Sequence, residues 1–82
     1  MYDVEFSQSA ERQLLKLEKP VQQRIISALE RIRIRPYPHV KKLVSSPYFR
    51  LRVGDYRVIL DIQKDKLIIL VLEVGHRKNI YK

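Results

Sequence analysis

Arg50-Leu51-Arg52-Val53-Gly54-Asp55-Tyr56-Arg57 alternates apolar and cationic residues on either side of a Gly-Asp pair. Glycine at the first central position of a two-residue loop predicts a type II′ hairpin, because only glycine takes the positive φ required there without a steric cost. Such a turn makes Val53 the partner of Tyr56 and Arg52 the partner of Arg57, and directly opposed residues of an antiparallel pair share one face of the sheet. Alternation adds Arg50 to the arginine face. The other face gathers Phe49, Leu51, Val53, Tyr56, Val58, Leu60 and Ile62, apolar surface broad enough to lie on helices. Two opposed guanidinium groups repel each other by roughly 0.2–1 kcal/mol. An anionic partner, phosphate above all, would offset that cost.

Downstream, Gln63-Lys64-Asp65-Lys66 is a polar turn, and Leu67 to Val74 is a nearly unbroken aliphatic strand of the kind found at the centre of a sheet. A three-residue loop at Lys64–Lys66 sets Gln63 against Leu67 and Arg57 against Glu73. Ile62, Leu60 and Val58 then face Ile68, Leu70 and Leu72. A two-residue loop would instead place Glu73 on the core face beside Tyr56. Burying an unpaired carboxylate costs on the order of several kcal/mol, so the three-residue loop is expected. If the strand runs on past Gly75, Arg77 and Tyr81 emerge on the arginine side.

Upstream, Tyr2, Val4 and Phe6 alternate with Asp3 and Glu5 in a first strand. Ser7 or Ser9 can cap a helix over residues 8–18, whose buried stripe is Ala10, Leu14 and Leu17. Pro20 ends it and opens a second helix, where its missing N–H wastes no bond. Val21, Ile25, Ala28, Leu29 and Ile32 mark one face of that helix as far as about Arg35. Gln22, Gln23, Arg24, Glu30, Arg31 and Arg33 form its solvated outside. Pro36 and Pro38 make Arg35–Val40 an extended linker, with His39 an exposed loop residue. Lys41-Lys42 and the turn Ser45-Ser46-Pro47 lead back into the hairpin. The expected fold is therefore α+β, one domain over residues 1–82. Its order is β-α-α-β-β-β, with a helical hairpin on one face of a mostly antiparallel sheet and the arginines on or beside the other.

The chain has 82 residues, 17 Lys plus Arg against 9 Asp plus Glu, a net charge of +8 and a pI near 10.1, a bias that favours nucleic acid or an acidic protein as partner. Cysteine is absent and the two histidines stand far apart, which excludes a disulfide framework and argues against a structural zinc site. Leu67–Leu72 is the longest apolar run and is too short to span a bilayer. The acidic, alternating start does not resemble a leader. A cytoplasmic location is expected, with no membrane partner. There is no metal-ligand spacing, nucleophile elbow or phosphate-cradling glycine loop, so neither metal nor cofactor is expected.

A cationic face of this kind can hold a phosphodiester and stabilise the added charge of its transition state. RNA carries its own nucleophile, the 2′-hydroxyl. Such chemistry needs a proton acceptor and a donor, and Tyr81 and His76 are the side chains near the cluster that can serve.

The sequence Phe49-Arg50-Leu51-Arg52-Val53-Gly54-Asp55-Tyr56-Arg57, preceded by Lys42-Leu43 and followed by Val74-Gly75-His76-Arg77-Lys78-Asn79-Ile80-Tyr81, resembles the RelE toxins of the RelE/ParE superfamily, in particular their compact archaeal or bacterial members. The resemblance covers essentially the whole chain, and the two blocks at this spacing are its most specific part. It implies a type II toxin, a metal-independent, ribosome-dependent endoribonuclease that cuts mRNA in the A site, leaves a cyclic phosphate and a 5′-hydroxyl, and is silenced by a cognate RelB-like antitoxin. By position, Arg57 would stabilise the transition state and Arg77 grip the scissile phosphate. Tyr81 would be the general base and a stacking platform, and Lys42, Arg50 and Arg52 would bind RNA. Relatives often carry a lysine among the proton-shuttling residues where this chain has arginine, which does not deprotonate in proteins, and Val44-Ser45 replaces a basic-then-glycine turn. His76 therefore stays a contender for the acid–base role. Superfamily members that poison DNA gyrase share the fold, so the alternatives are a ParE-like gyrase poison or a non-enzymatic basic RNA-binding module.

Overall fold

The computed structural model describes residues 1–76 and gives, in chain order, β1 (Asp3–Phe6), α1 (Gln8–Leu15), α2 (Lys19–Arg31), a 3-10 turn at Tyr37–His39, β2 (Lys41–Lys42), β3 (Phe49–Val53), β4 (Tyr56–Gln63) and β5 (Ile68–His76). The strands form one sheet in the order β1-β5-β4-β3-β2. β1 lies parallel to β5 and every other neighbouring pair is antiparallel. This is the expected α+β arrangement with one addition, the two-residue strand β2.

Ser7 starts α1 by accepting a hydrogen bond from the Ala10 amide at 3.0 Å, satisfying one of the donors that a helix leaves open at its first turn. Its hydroxyl also donates to the Leu72 carbonyl at 3.2 Å, so the cap doubles as a tie to the sheet. α1 ends at Leu15, before the expected residue 18. Lys16 and Leu17 close the helix with short-range bonds to Gln13 and Leu14, and the Gln22 side chain donates to the Leu17 carbonyl at 2.8 Å. Glu18 is extended, and Pro20 occupies the second position of α2. α2 in turn ends at Arg31, before the expected Arg35. Tyr2 and Arg33 join there: the Tyr2 amide donates to the Arg33 carbonyl at 2.8 Å, and Arg33 Nε returns a bond to the Tyr2 carbonyl at 2.8 Å. The entry to β1 is thereby clamped to the exit of α2.

The linker is not extended throughout. Pro36 is fully buried and the following residues wind into the 3-10 turn, held by His39 N–H to Pro36 O at 3.0 Å and Val40 N–H to Tyr37 O at 3.4 Å. Those donors are residues that possess an N–H, so the two prolines cost the turn nothing.

Ala10, Leu14, Ile25, Leu29 and Ile32 from the helices meet Leu51, Val58, Leu60, Ile69, Val71 and Val74 from the sheet in one core, closed by Tyr2. Each large aliphatic group taken out of water there contributes about 1.5–3 kcal/mol. The first hairpin follows its expected register, with Val53 opposite Tyr56 and Arg52 opposite Arg57. Gly54 has φ +58°, and Asp55 is not among the non-glycine residues with positive φ, which matches type II′ rather than type I′.

The second hairpin corrects its expected register. Its loop takes four residues, Lys64 to Leu67, with Leu67 at φ +55° and Gln63 paired to Ile68. Pairing then slips between Ile59 and Leu60, so that Leu60 faces Val71, Ile59 faces Glu73 and Arg57 faces Gly75. Leu72 is the extra residue of a β-bulge. The bulge changes which residues of β5 look inward, from Ile69 and Val71 before it to Val74 after it. It is held by Gln13, whose Oε1 accepts the Val74 N–H at 2.7 Å beyond the point where β1 stops pairing at Phe6–Val71. Glu73 remains exposed on the arginine face, as expected, but by way of the bulge rather than a three-residue loop.

Candidate nucleic-acid interface

The sheet face turned away from the helices is built of cross-strand rows. Lys41, Arg50, Ile59 and Glu73 form one row across β2 to β5, and Arg52, Arg57 and Gly75 form the next. On the other side of the first row lie Asp61, Leu70 and Glu5, then Gln63, Ile68 and Asp3. The face is therefore polarised, cationic at the β2–β3 corner and anionic toward β1. Ile59 is only 5% exposed although it lies outside the main core cluster. The long side chains around it cover it with their methylene stems.

Arg50 and Arg57 are half-buried and Arg52 is exposed. Arg57 Nε is shielded from solvent, and Arg52 Nε donates to the Gly54 carbonyl at 3.4 Å. Directly opposed side chains start with β-carbons about 4.5–5.5 Å apart, so Arg52 and Arg57 can reach one phosphate together. The fork of N–H donors on each guanidinium suits its oxygens.

Two hollows adjoin this corner at the β3 edge. One, of about 210 Å³, is lined by Ala28, Arg31, Ile32, His39, Leu51 and Arg52. The other, of about 310 Å³, is lined by Pro38, His39, Val40, Lys41, Arg50 and Arg52. They share His39 and Arg52.

Of the residues singled out from the sequence, Arg50, Arg52 and Arg57 lie together on the open face. Lys42 does not join them there: it pairs with Phe49, whose ring meets Tyr37 edge-on at 5.6 Å and 73°. Its neighbour Lys41 pairs with Arg50 and takes that place. His76 pairs with Tyr56, rings 5.5 Å apart at 77°, and Tyr56 packs against the helix-side core. Alternation therefore puts His76 on the face opposite Arg57, which removes it from the cluster. Arg77 and Tyr81 lie outside the described residues. Lys41, His39 and Arg31 went unremarked as site residues in the sequence. The doublet Lys41-Lys42 was the available signal for the first, one residue out of register, and nothing local marks the other two. Among the described residues, no group of His, Cys, Asp or Glu could hold a metal ion, and no helix is long and apolar enough to cross a membrane.

The chain matches the family of ParE toxins of type II toxin-antitoxin systems, parDE, over residues 4–81. No curated protein is similar enough in sequence to match. Among solved structures, the fold is similar to the toxin-antitoxin complex RelBE2 of Mycobacterium tuberculosis, with 28% identity over 93% of this chain and 98% of that chain and a TM-score of 0.85. It is also similar to the archaeal RelE-RelB complex of Pyrococcus horikoshii, with 26% identity over 95% and 97% and a TM-score of 0.81. The intact E. coli RelBE complex, 23% identical over 93% and 96% with a TM-score of 0.79, shares the fold.

Proposed function

The chain belongs to the family of ParE toxins of type II toxin-antitoxin systems, within the RelE/ParE superfamily, and from that premise we propose that it is an mRNA endonuclease acting in the ribosomal A site. The observation that carries the reading is the row Arg52–Arg57 beside Arg50 and Lys41 on an open sheet face. Two guanidinium groups share one sheet face there, and their forks of N–H donors suit the oxygens of a phosphodiester. In the proposed reaction the 2′-hydroxyl of the RNA attacks the adjacent phosphorus, its proton passes to a base, and the P–O5′ bond breaks to leave a cyclic phosphate and a protonated 5′-oxygen. Arg57 stabilises the extra charge on the phosphoryl oxygens, while Arg50, Arg52 and Arg77 hold the phosphate. Tyr81 takes the 2′-hydroxyl proton, the role that the resemblance implies for it. His76, on the other face, is not assigned the proton donation to the leaving oxygen.

A RelB-like antitoxin is the proposed protein partner, since the similar structures are RelE toxins bound to RelB antitoxins. An acidic segment over the arginine corner would neutralise it, with fast and salt-sensitive association.

The match to ParE toxins keeps a second reading in play, the gyrase poison that the resemblance also allows. Primer extension on mRNA from translating ribosomes separates the two. New 5′ ends within codons support cleavage, whereas intact transcripts together with gyrase-trapped, broken DNA would replace it with the second reading.

A further inference from the structure

We propose that the groove along the outer edge of β3, between that strand and α2, binds the RNA backbone next to the scissile phosphate, with Arg24 and Arg31 of α2 as its far wall. The proposal rests on the reading of the arginine face as an RNA-cleaving site, and it assigns the path by which the strand leaves that site.

Three observations converge on it. First, the outer sheet face disfavours a polyanion in one direction: Glu73 ends the Lys41–Arg50 row on β5, and Asp61, Glu5 and Asp3 stand in the rows after it, so an RNA strand running toward β1 meets carboxylates. Among the described residues, the cationic direction is over the β3 edge. Second, that edge is open, because β2 covers only Phe49 and Arg50, and no strand among the described residues lies along Leu51–Val53. The two hollows there lie side by side, with His39 and Arg52 lining both, and between them they reach from the sheet-face cations Lys41, Arg50 and Arg52 to Arg31 on α2.

Third, α2 presents a cationic stripe to this edge. Arg24 and Arg31 are seven residues apart, two helical turns on one side, a rise of about 10.5 Å. Ala28 stands between them and lines the hollow, its small side chain leaving the groove clear. Arg24 reaches the tip of the β3–β4 turn, where its Nη1 is 3.5 Å from the position a β-carbon on Gly54 would occupy. Arg24, Arg31 and Lys41 are exposed. None of them makes an ion pair or a side-chain hydrogen bond among the described residues, in contrast to Arg33 on the same helix, which is paired with Glu30 and Asp3. Charges left uncompensated along a groove are what backbone binding requires, and such contacts position the strand without reading its sequence.

The test is binding of a labelled 2′-O-methyl RNA oligonucleotide, which lacks the attacking hydroxyl, measured by fluorescence anisotropy over a range of salt concentrations. Arg24→Gln and Arg31→Gln should each weaken binding regardless of base sequence and lower the slope of log affinity against log salt by about 0.7, the amount expected per phosphate contact on a single strand. Arg31→Lys should restore the slope. Arg12→Gln, on α1, which packs over β5 and β1 away from the β3 edge, should leave affinity and slope unchanged. If Arg24→Gln and Arg31→Gln behave like Arg12→Gln while the native chain binds the RNA with a salt-dependent affinity, the groove assignment is overturned and the arginine-face reading stands. A native chain that does not bind the RNA overturns the groove assignment, while the cleavage reading is decided separately by primer extension on translating ribosomes. Loss of affinity for an acidic peptide without loss for RNA would assign the groove to a protein partner and also overturn the proposal.

Discussion

The β3–β4 and β4–β5 hairpins share a strand but obtain their register by different means. In the first, a two-residue loop with Gly54 at φ +58° sets every pair from Val53–Tyr56 to Phe49–Leu60 without interruption. In the second, a four-residue loop ends on Leu67, a branched residue at φ +55°, and a bulge shifts the pairing midway. The Asp3 amide bonds the Leu67 carbonyl at 2.8 Å, and Gln13 holds Val74, so contacts from outside the hairpin maintain what its own turn does not. The first hairpin lays out charge on an open face. The second fills the core, with Ile69 and Val71 at 0% exposure. A hairpin specified by its own turn can carry function on its surface, while one specified by its surroundings carries stability.

If that division holds, the two hairpins respond to mutation in different measurements. Ile69→Ala should cost about 2–5 kcal/mol, lowering the melting temperature by about 4–8 °C per kcal/mol in a domain of this size. A loss below about 1 kcal/mol would mean that the second hairpin is not the stability element. Arg57→Ala should do the reverse, reducing the single-turnover cleavage rate on ribosomes by about 10²–10³ with the melting temperature little changed. Gln13→Ala probes the bulge, since it leaves the Val74 N–H without its acceptor in a part-buried place. A loss of about 1–3 kcal/mol is expected, and hydrogen exchange should quicken at Val74 before it does at Leu51. Gly54→Ala should have the smallest effect, about 1–2 kcal/mol from forcing a β-carbon into the left-handed region. Its Cβ would meet only Arg24 Nη1 at ordinary contact distance, so a much larger loss would show that the turn is more tightly packed than the structure has it.

Parts of this outcome were legible residue by residue. Gly54 announced its turn, and with it the pairing of Arg52 and Arg57. The stripes Ala10–Leu14 and Ile25–Leu29–Ile32 announced two helices and the face they bury. The helix ends were less legible, because Gln22 and Arg33 stop α1 and α2 through bonds to Leu17 and Tyr2 that no helical pattern encodes. The site was legible to the extent that it lies on one hairpin. Arg50, Arg52 and Arg57 came together as expected, whereas Lys42 and His76 fell on the other face, the first by its pairing with Phe49 in β2, a strand the sequence did not announce, and the second by its pairing with Tyr56.

By itself the sequence determined the elements, the first hairpin's register and the cationic character of one face, because strand alternation, helical periodicity and glycine's access to positive φ are properties of neighbouring residues. The tertiary structure alone decided the bulge at Leu72, the substitution of Lys41 for Lys42, the removal of His76 from the arginines and the approach of Arg24 and Arg31 to the β3 edge. Each depends on groups distant in the chain that satisfy one another only after packing. Gln13 accepts the Val74 N–H across 61 residues because β1 has ended and that donor would otherwise be left without an acceptor.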